Sequence, residues 1–119
     1  MRDFTKEVRA ALLGACPRVF FYYPNDFTTM PAISYYDNLN SSADGSDLLT
    51  NLGFQIDVWS KNVDDCKAIT AAADTAMRSL GFRRSFSQQI TDPSNGYRHQ
   101  SMRFEGTYNA LDQKIYSRS

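Results

Sequence analysis

His99 is the single imidazole in this 119-residue chain, and imidazole is the side chain best suited to moving protons near neutral pH. As a base it needs a second group to orient it, and the carboxylate on its own segment is Glu105, six residues on. Six residues of extended strand span about 20 Å, well beyond hydrogen-bond reach, so His99 reads as an ordinary surface histidine. Asp64 and Asp65 invite a metal, but neighbouring helical residues point apart, and the positive end of a helix selects acids in its first turn. The six glycines, at 14, 45, 53, 81, 96 and 106, are too scattered for a phosphate-cradling loop, and the serines lack nucleophile-elbow spacing. The chain therefore reads as a non-enzyme, with no catalytic, metal or cofactor residue assigned.

Charge points toward contact surfaces. Thirteen basic and thirteen acidic residues cancel, so nothing global draws the chain to nucleic acid or an anionic membrane. Locally the balance is uneven: residues 37–74 hold seven acids against Lys61 and Lys67, whereas 82–105 hold Arg83, Arg84, Arg98 and Arg103 against Asp92 and Glu105. Opposite charge on two surfaces suits head-to-tail association into a ring. The arginines lie among aromatics, as in a nucleic-acid surface, but adjacent strand residues face opposite ways and divide that patch between two faces.

These residues need elements to position them. Phe4, Val8, Ala11, Leu12 and Ala15 form one helical stripe, with Pro17 placing the helix boundary at Cys16. RVFFYY then reads as a strand covered on both faces, closed by a turn at Pro24-Asn25-Asp26. Alternation predicts a strand over 32–39, and SSADGSD, with no apolar residue larger than alanine, reads as a mobile loop tip. Phe54, Ile56 and Val58 put one face of the next strand on the core and Trp59 on the other. Val63, Cys66, Ile69, Thr70, Ala73, Met77 and Leu80 mark a helix, with Gly81 as its C-cap. Phe82, Phe86 and Ile90 mark one face of a first hairpin strand; Met102, Phe104 and Tyr108 mark one face of the second, across Pro93-Ser94-Asn95-Gly96.

The sum is one domain over 1–119, with a helix over 1–16, a sheet–helix–hairpin body over 18–109 and a flexible tail over 110–119. The fold class is α+β: a single mixed or mainly antiparallel sheet, two helices packed on it and a terminal β-hairpin. Cys16 and Cys66 read as buried free thiols, and the charged start MRDFTKEVR fits neither a signal peptide nor a membrane span, which predicts a cytosolic protein.

PAISYYDNLN, FQIDVWSKN, the alanine-rich helix, LGFRRSF and YRHQSMRF together resemble the tail completion family of long-tailed phages, also called head-to-tail joining or tail-terminator proteins. The matching positions are Pro31 to Tyr36, Asn40 to Asp47, Phe54 to Trp59, Val63 to Leu80 and Met102 to Phe104. The resemblance implies a virion structural protein, assembled in the host cytoplasm, that caps the tail tube as a hexameric ring and offers the surface on which the head docks. Its implied partners are other copies of itself, a tail-tube protein and a head-closure or connector protein, with no membrane, cofactor or specific nucleic acid. Candidate contact residues are Asn40, Ser41, Ser42, Asp44 and Asp47 in the polar loop and Arg83, Arg84, Arg98 and Arg103 in the hairpin. A head-closure or minor capsid role is the nearest alternative, and a nucleic-acid-binding module the next.

Overall fold

A computed structural model describes residues 3–22, 31–42, 45, 48–91 and 98–117. The elements in chain order are α1 (Thr5–Leu13), β1 (Val19–Phe21), β2 (Ala32–Ser42), β3 (Leu49–Ser60), α2 (Val63–Ser79), β4 (Arg83–Thr91), β5 (Arg98–Asn109) and β6 (Lys114–Tyr116). The six strands form one sheet in the order β1-β2-β3-β5-β4, with β6 alongside β5. β1 runs parallel to β2 and every other pairing is antiparallel, so the sheet is mixed and the class is α+β, as expected.

The period-2 pattern of β3 decides which face is core. Leu52, Phe54, Ile56 and Val58 are buried toward the helices together with Met102 and Phe104 of β5, their register partners being on the same face. Full burial of side chains this size contributes about 1.5–3 kcal/mol each. Phe82 knits the layers, meeting Phe54 edge-on at 5.6 Å and Phe4, just ahead of α1, at 6.0 Å. α1 adds Val8 and Leu12, and α2 adds Cys66, Ala73 and Met77.

Local chemistry sets the ends of α2. Asn62 Oδ1 accepts from the Asp65 amide at 2.7 Å, an N-cap bond that satisfies one orphan donor. At the other end Phe82 N–H donates to Met77 C=O and Gly81 N–H to Arg78 C=O, a Schellman arrangement made possible by φ +108° at Gly81.

Several boundaries differ from expectation. α1 stops at Leu13 rather than Cys16, because Gly14 lowers helix propensity and Gly14, Ala15 and Cys16 donate to Ala11 and Leu12 in a tighter turn. The strand predicted from RVFFYY keeps only three residues and is not covered on both faces: β1 is a sheet edge, with Phe21 47% and Tyr22 54% exposed. Its aromatics pack on the neighbouring strand instead, Phe21 on Tyr35 and Tyr22 stacked on Tyr36. A bulge at Ser85, between Arg84 and Phe86, sends Phe86 and Ile90 to the face opposite Phe82. Within the segment read as a flexible tail, β6 pairs with β5 and buries Ile115. The expected turns at Pro24-Asn25-Asp26 and Pro93-Ser94-Asn95-Gly96 lie outside the described residues.

Candidate assembly surfaces

Both helices pack on one side of the sheet, since α1 contacts α2 and β2 while α2 contacts β3, β4 and β5. Among the described residues no element covers the other side. That open face carries the alternate residues of each strand: Ser34 and Tyr36 of β2, Gln55, Asp57 and Trp59 of β3, His99, Ser101 and Arg103 of β5, Phe86 and Ile90 of β4. Ser34, Gln55 and Ser101 are buried among their neighbours on this face, while Phe86 and Ile90 stand exposed, so a polar middle is flanked by apolar side chains of the kind that protein contacts cover.

Its centre is a connected polar network. His99 Nε2 lies 2.7 Å from Asp57 Oδ1, and Trp59 stacks on the imidazole with ring centres 3.7 Å apart. The Trp59 indole N–H donates to Ser34 Oγ at 3.0 Å. Beside it Gln55 donates to Ser101 Oγ and accepts from Arg103 Nε at 3.2 Å, while the Arg103 guanidinium sits 5.3 Å above the Phe86 ring. His99 is thus not an isolated surface histidine; its partner is Asp57, two strand positions diagonally across, rather than Glu105. The two serine hydroxyls of this network accept from Trp59 and Gln55, an arrangement that orders the sheet face.

At one end of the open face, four strands contribute one row: Leu39 opposite Gly53, Gly53 opposite Glu105, Glu105 opposite Arg83. Beside this row lies a hollow of about 190 Å³ lined by Leu39, Asn51, Arg83, Glu105 and Thr107. Each of the two outer strands of this row carries an extra residue: Asn38 directly beside it in β2, and Ser85 one rung farther along in β4. The Asn38 side chain lies over Gly53, where a Cβ would come within 2.6 Å of its Oδ1.

The candidate contact residues divide accordingly. Asn40, Ser41 and Ser42 lie in β2, not in a loop, because they pair in register with Leu52, Asn51 and Thr50 of β3. Asp44 and Asp47 lie outside the described residues. Arg83 stands beside Glu105 at 3.8 Å on the open face, while Arg84 points to the helix side, 3.5 Å from Asp74 of α2, which also binds Arg78 at 2.9 Å. Arg103 is held by Gln55 and Phe86 mid-sheet, and Arg98 lies at the far end of β5. Toward one end of the sheet Ser41 and Arg83 therefore share the open face, whereas Asn40 and Ser42, opposite buried Leu52 and Thr50, turn to the helix side as Arg84 does, and Arg98 lies at the other end. Missed in the sequence were Asp57, Leu39, Gly53 and Glu105; the outward positions of Asp57 and Gly53 follow from alternation, whereas alternation sets Leu39 with buried Ile33 and Tyr35 and only the bulge at Asn38 turns it outward.

A second groove, about 390 Å³, runs between α2 and β4 and is lined by Lys67, Thr70, Asp74, Arg84, Gln89 and Gln100. Cys66 forms part of its wall, and burial pushes its thiol up, opposed by its hydrogen bond with Thr70 and the charge of Arg98. Among the described residues no group of three or more His, Cys, Asp or Glu side chains is placed to hold a metal, and no helix is long and apolar enough to cross a membrane.

Comparison with known proteins supplies a family. The sequence model described as "Tail completion protein gp17" matches residues 5–109. A chain in the solved structure "Virion of native gene transfer agent (GTA) particle" is similar in fold, with a TM-score of 0.60 and 18% identity over 82% of this chain and 81% of that one. No curated protein sequence matches.

Proposed function

The chain belongs to the tail completion protein gp17 family and is a structural protein of a phage-type virion, and from that premise we propose that it closes the finished tail as a hexameric ring and forms the joining surface for the head. What carries this reading is the open sheet face. It is mixed in polarity and backed by two helices, and at one end it presents Ser41 and Arg83 beside the hollow that Leu39, Asn51, Arg83 and Glu105 line. A subunit of this shape works by presenting surface, and a ring of such subunits meets a tail-tube protein on one side and a head-closure or connector protein on the other. Copies associate head to tail, with the end of β2 in one copy against the arginines of β4 and β5 in the next. In the intact subunit Arg83 and Arg84 already stand beside Glu105 and Asp74, so ring closure exchanges these exposed pairs for contacts between copies.

The test is deletion of the gene from the particle that encodes it, read by electron microscopy. Separate filled heads and tails of abnormal length are expected; normal virions would overturn the reading.

A further inference from the structure

The strand at the end of the sheet carries an unusual edge. β4 is paired only on its β5 side among the described residues, and every residue of Arg83–Ile90 is exposed. Soluble proteins guard such edges with lysine, proline or short length, since unpaired backbone groups template the addition of another strand. Past the Ser85 bulge, the run Phe86-Ser87-Gln88-Gln89-Ile90 has no charge and no proline. It is also self-complementary. Read from either end it gives apolar, polar, glutamine, polar, apolar, and its apolar members Phe86 and Ile90, 38% and 39% exposed, share the open face.

We infer that two copies of this chain pair through β4, antiparallel about a twofold axis at Gln88, to make one continuous sheet. Phe86 of each copy then faces Ile90 of the other on the open side, Ser87 faces Gln89, and Gln88 faces its own counterpart. Antiparallel pairing keeps opposed residues on the same face, so both helical layers remain on one side and nothing in the register clashes. Two apolar pairs and one strand's backbone bonds make a small contact, which keeps it reversible. The dimer stands without the ring reading. Its consequence rests on that reading: the dimer occupies the strand that carries Arg83 and Arg84, so it holds subunits in reserve until a tail end competes for them.

The test is sedimentation of the full chain across a range of concentrations, beside Ile90→Lys and Gln88→Cys. The wild type is expected to shift from monomer to dimer on concentration, and Ile90→Lys to stay monomeric with an unchanged circular dichroism spectrum. The twofold axis sets the two Gln88 Cα atoms about 4.5–5.5 Å apart, inside disulfide range, so oxidised Gln88→Cys forms a covalent dimer. Cys16 and Cys66 are buried and do not compete. Lys61→Cys, exposed beside α2, serves as the collision control. A wild type monomeric throughout, a dimer that survives Ile90→Lys, or equal cross-linking at Lys61→Cys would each overturn the inference. So would failure of oxidised Gln88→Cys to cross-link; a cross-linked dimer without any effect on tails would spare the inference and count against the ring reading.

Discussion

His99 Nε2 and Asp57 Oδ1 stand 2.7 Å apart on neighbouring strands, with Trp59 stacked over the imidazole, so residues of β3 and β5 form one clamp across the centre of the sheet. Removing the acceptor leaves a partly buried ring nitrogen without its partner. Asp57→Ala is expected to lower unfolding free energy by about 1–3 kcal/mol, and Asp57→Asn by less. Urea unfolding followed by Trp59 fluorescence reads this directly, since Trp59 is the only tryptophan.

Gly81 combines φ +108° with a close approach to β6, where a Cβ would overlap the Ile115 carbonyl. Gly81→Ala is expected to cost about 1–3 kcal/mol from the backbone conformation alone, with further loss as β6 is pushed off β5. Thermal unfolding measures the total, and hydrogen exchange at Ile115 tells whether β6 detaches first.

Asn62 caps α2 through its Oδ1, and its Nδ2 also donates to Asp65 Oδ2 at 2.8 Å. Asn62→Ala is expected to destabilise by about 1 kcal/mol, within the range typical of lost N-caps. Chemical denaturation of the two proteins provides the check.

Reversing the arginines one at a time separates fold from assembly. Arg84→Glu sets a carboxylate against Asp74, already 2.9 Å from Arg78, and is expected to lower the melting temperature. Arg83→Glu leaves that cluster alone and is expected to keep the melting temperature while reducing the yield of joined particles. Unchanged infectivity would remove Arg83 from the proposed interface.

Burial raises the Cys66 thiol above the ordinary value of 9.0. A raised thiol holds its proton longer folded than unfolded, so its stabilising effect is complete below the unfolded value and is lost as pH climbs through the folded one. Alkylation of the native chain at neutral pH is expected to be slow at both cysteines, and Cys66→Ser to reduce the loss of stability above pH 9.0.

Where one residue's periodicity decided the structure, the sequence was transparent. Phe54, Ile56 and Val58 against Trp59, and Val63 through Met77, each declare their inward face by spacing alone. Bulges and edges were opaque. Nothing in RRSFSQQI announces that Ser85 stands outside the pairing, and that one residue reverses the face of Phe86 and Ile90. Nor does RVFFYY reveal that its aromatics lie at a sheet margin, where short parallel pairing leaves Phe21 and Tyr22 half in water. The Asp57–His99 contact was hidden for a different reason: it joins strands separated in sequence by α2 and β4, so no local pattern could bring the two side chains together. Among the candidate contact residues, the polarity of Asn40, Ser41 and Ser42 was read as looseness, yet polar residues also pair well in a strand whose neighbour supplies Thr50 and Asn51.

The two inserted residues, Asn38 and Ser85, lie on either side of the rung Asp37–Phe54–Phe104–Arg84, and each is surplus to the ladder it interrupts. Excising either one would leave Leu39 opposite Gly53, or Phe86 opposite Arg103, with inward and outward sides unchanged. What such excision removes is the extra twist that a bulge gives its strand, so the local twist of β2 and β4 is separable from their pairing scheme.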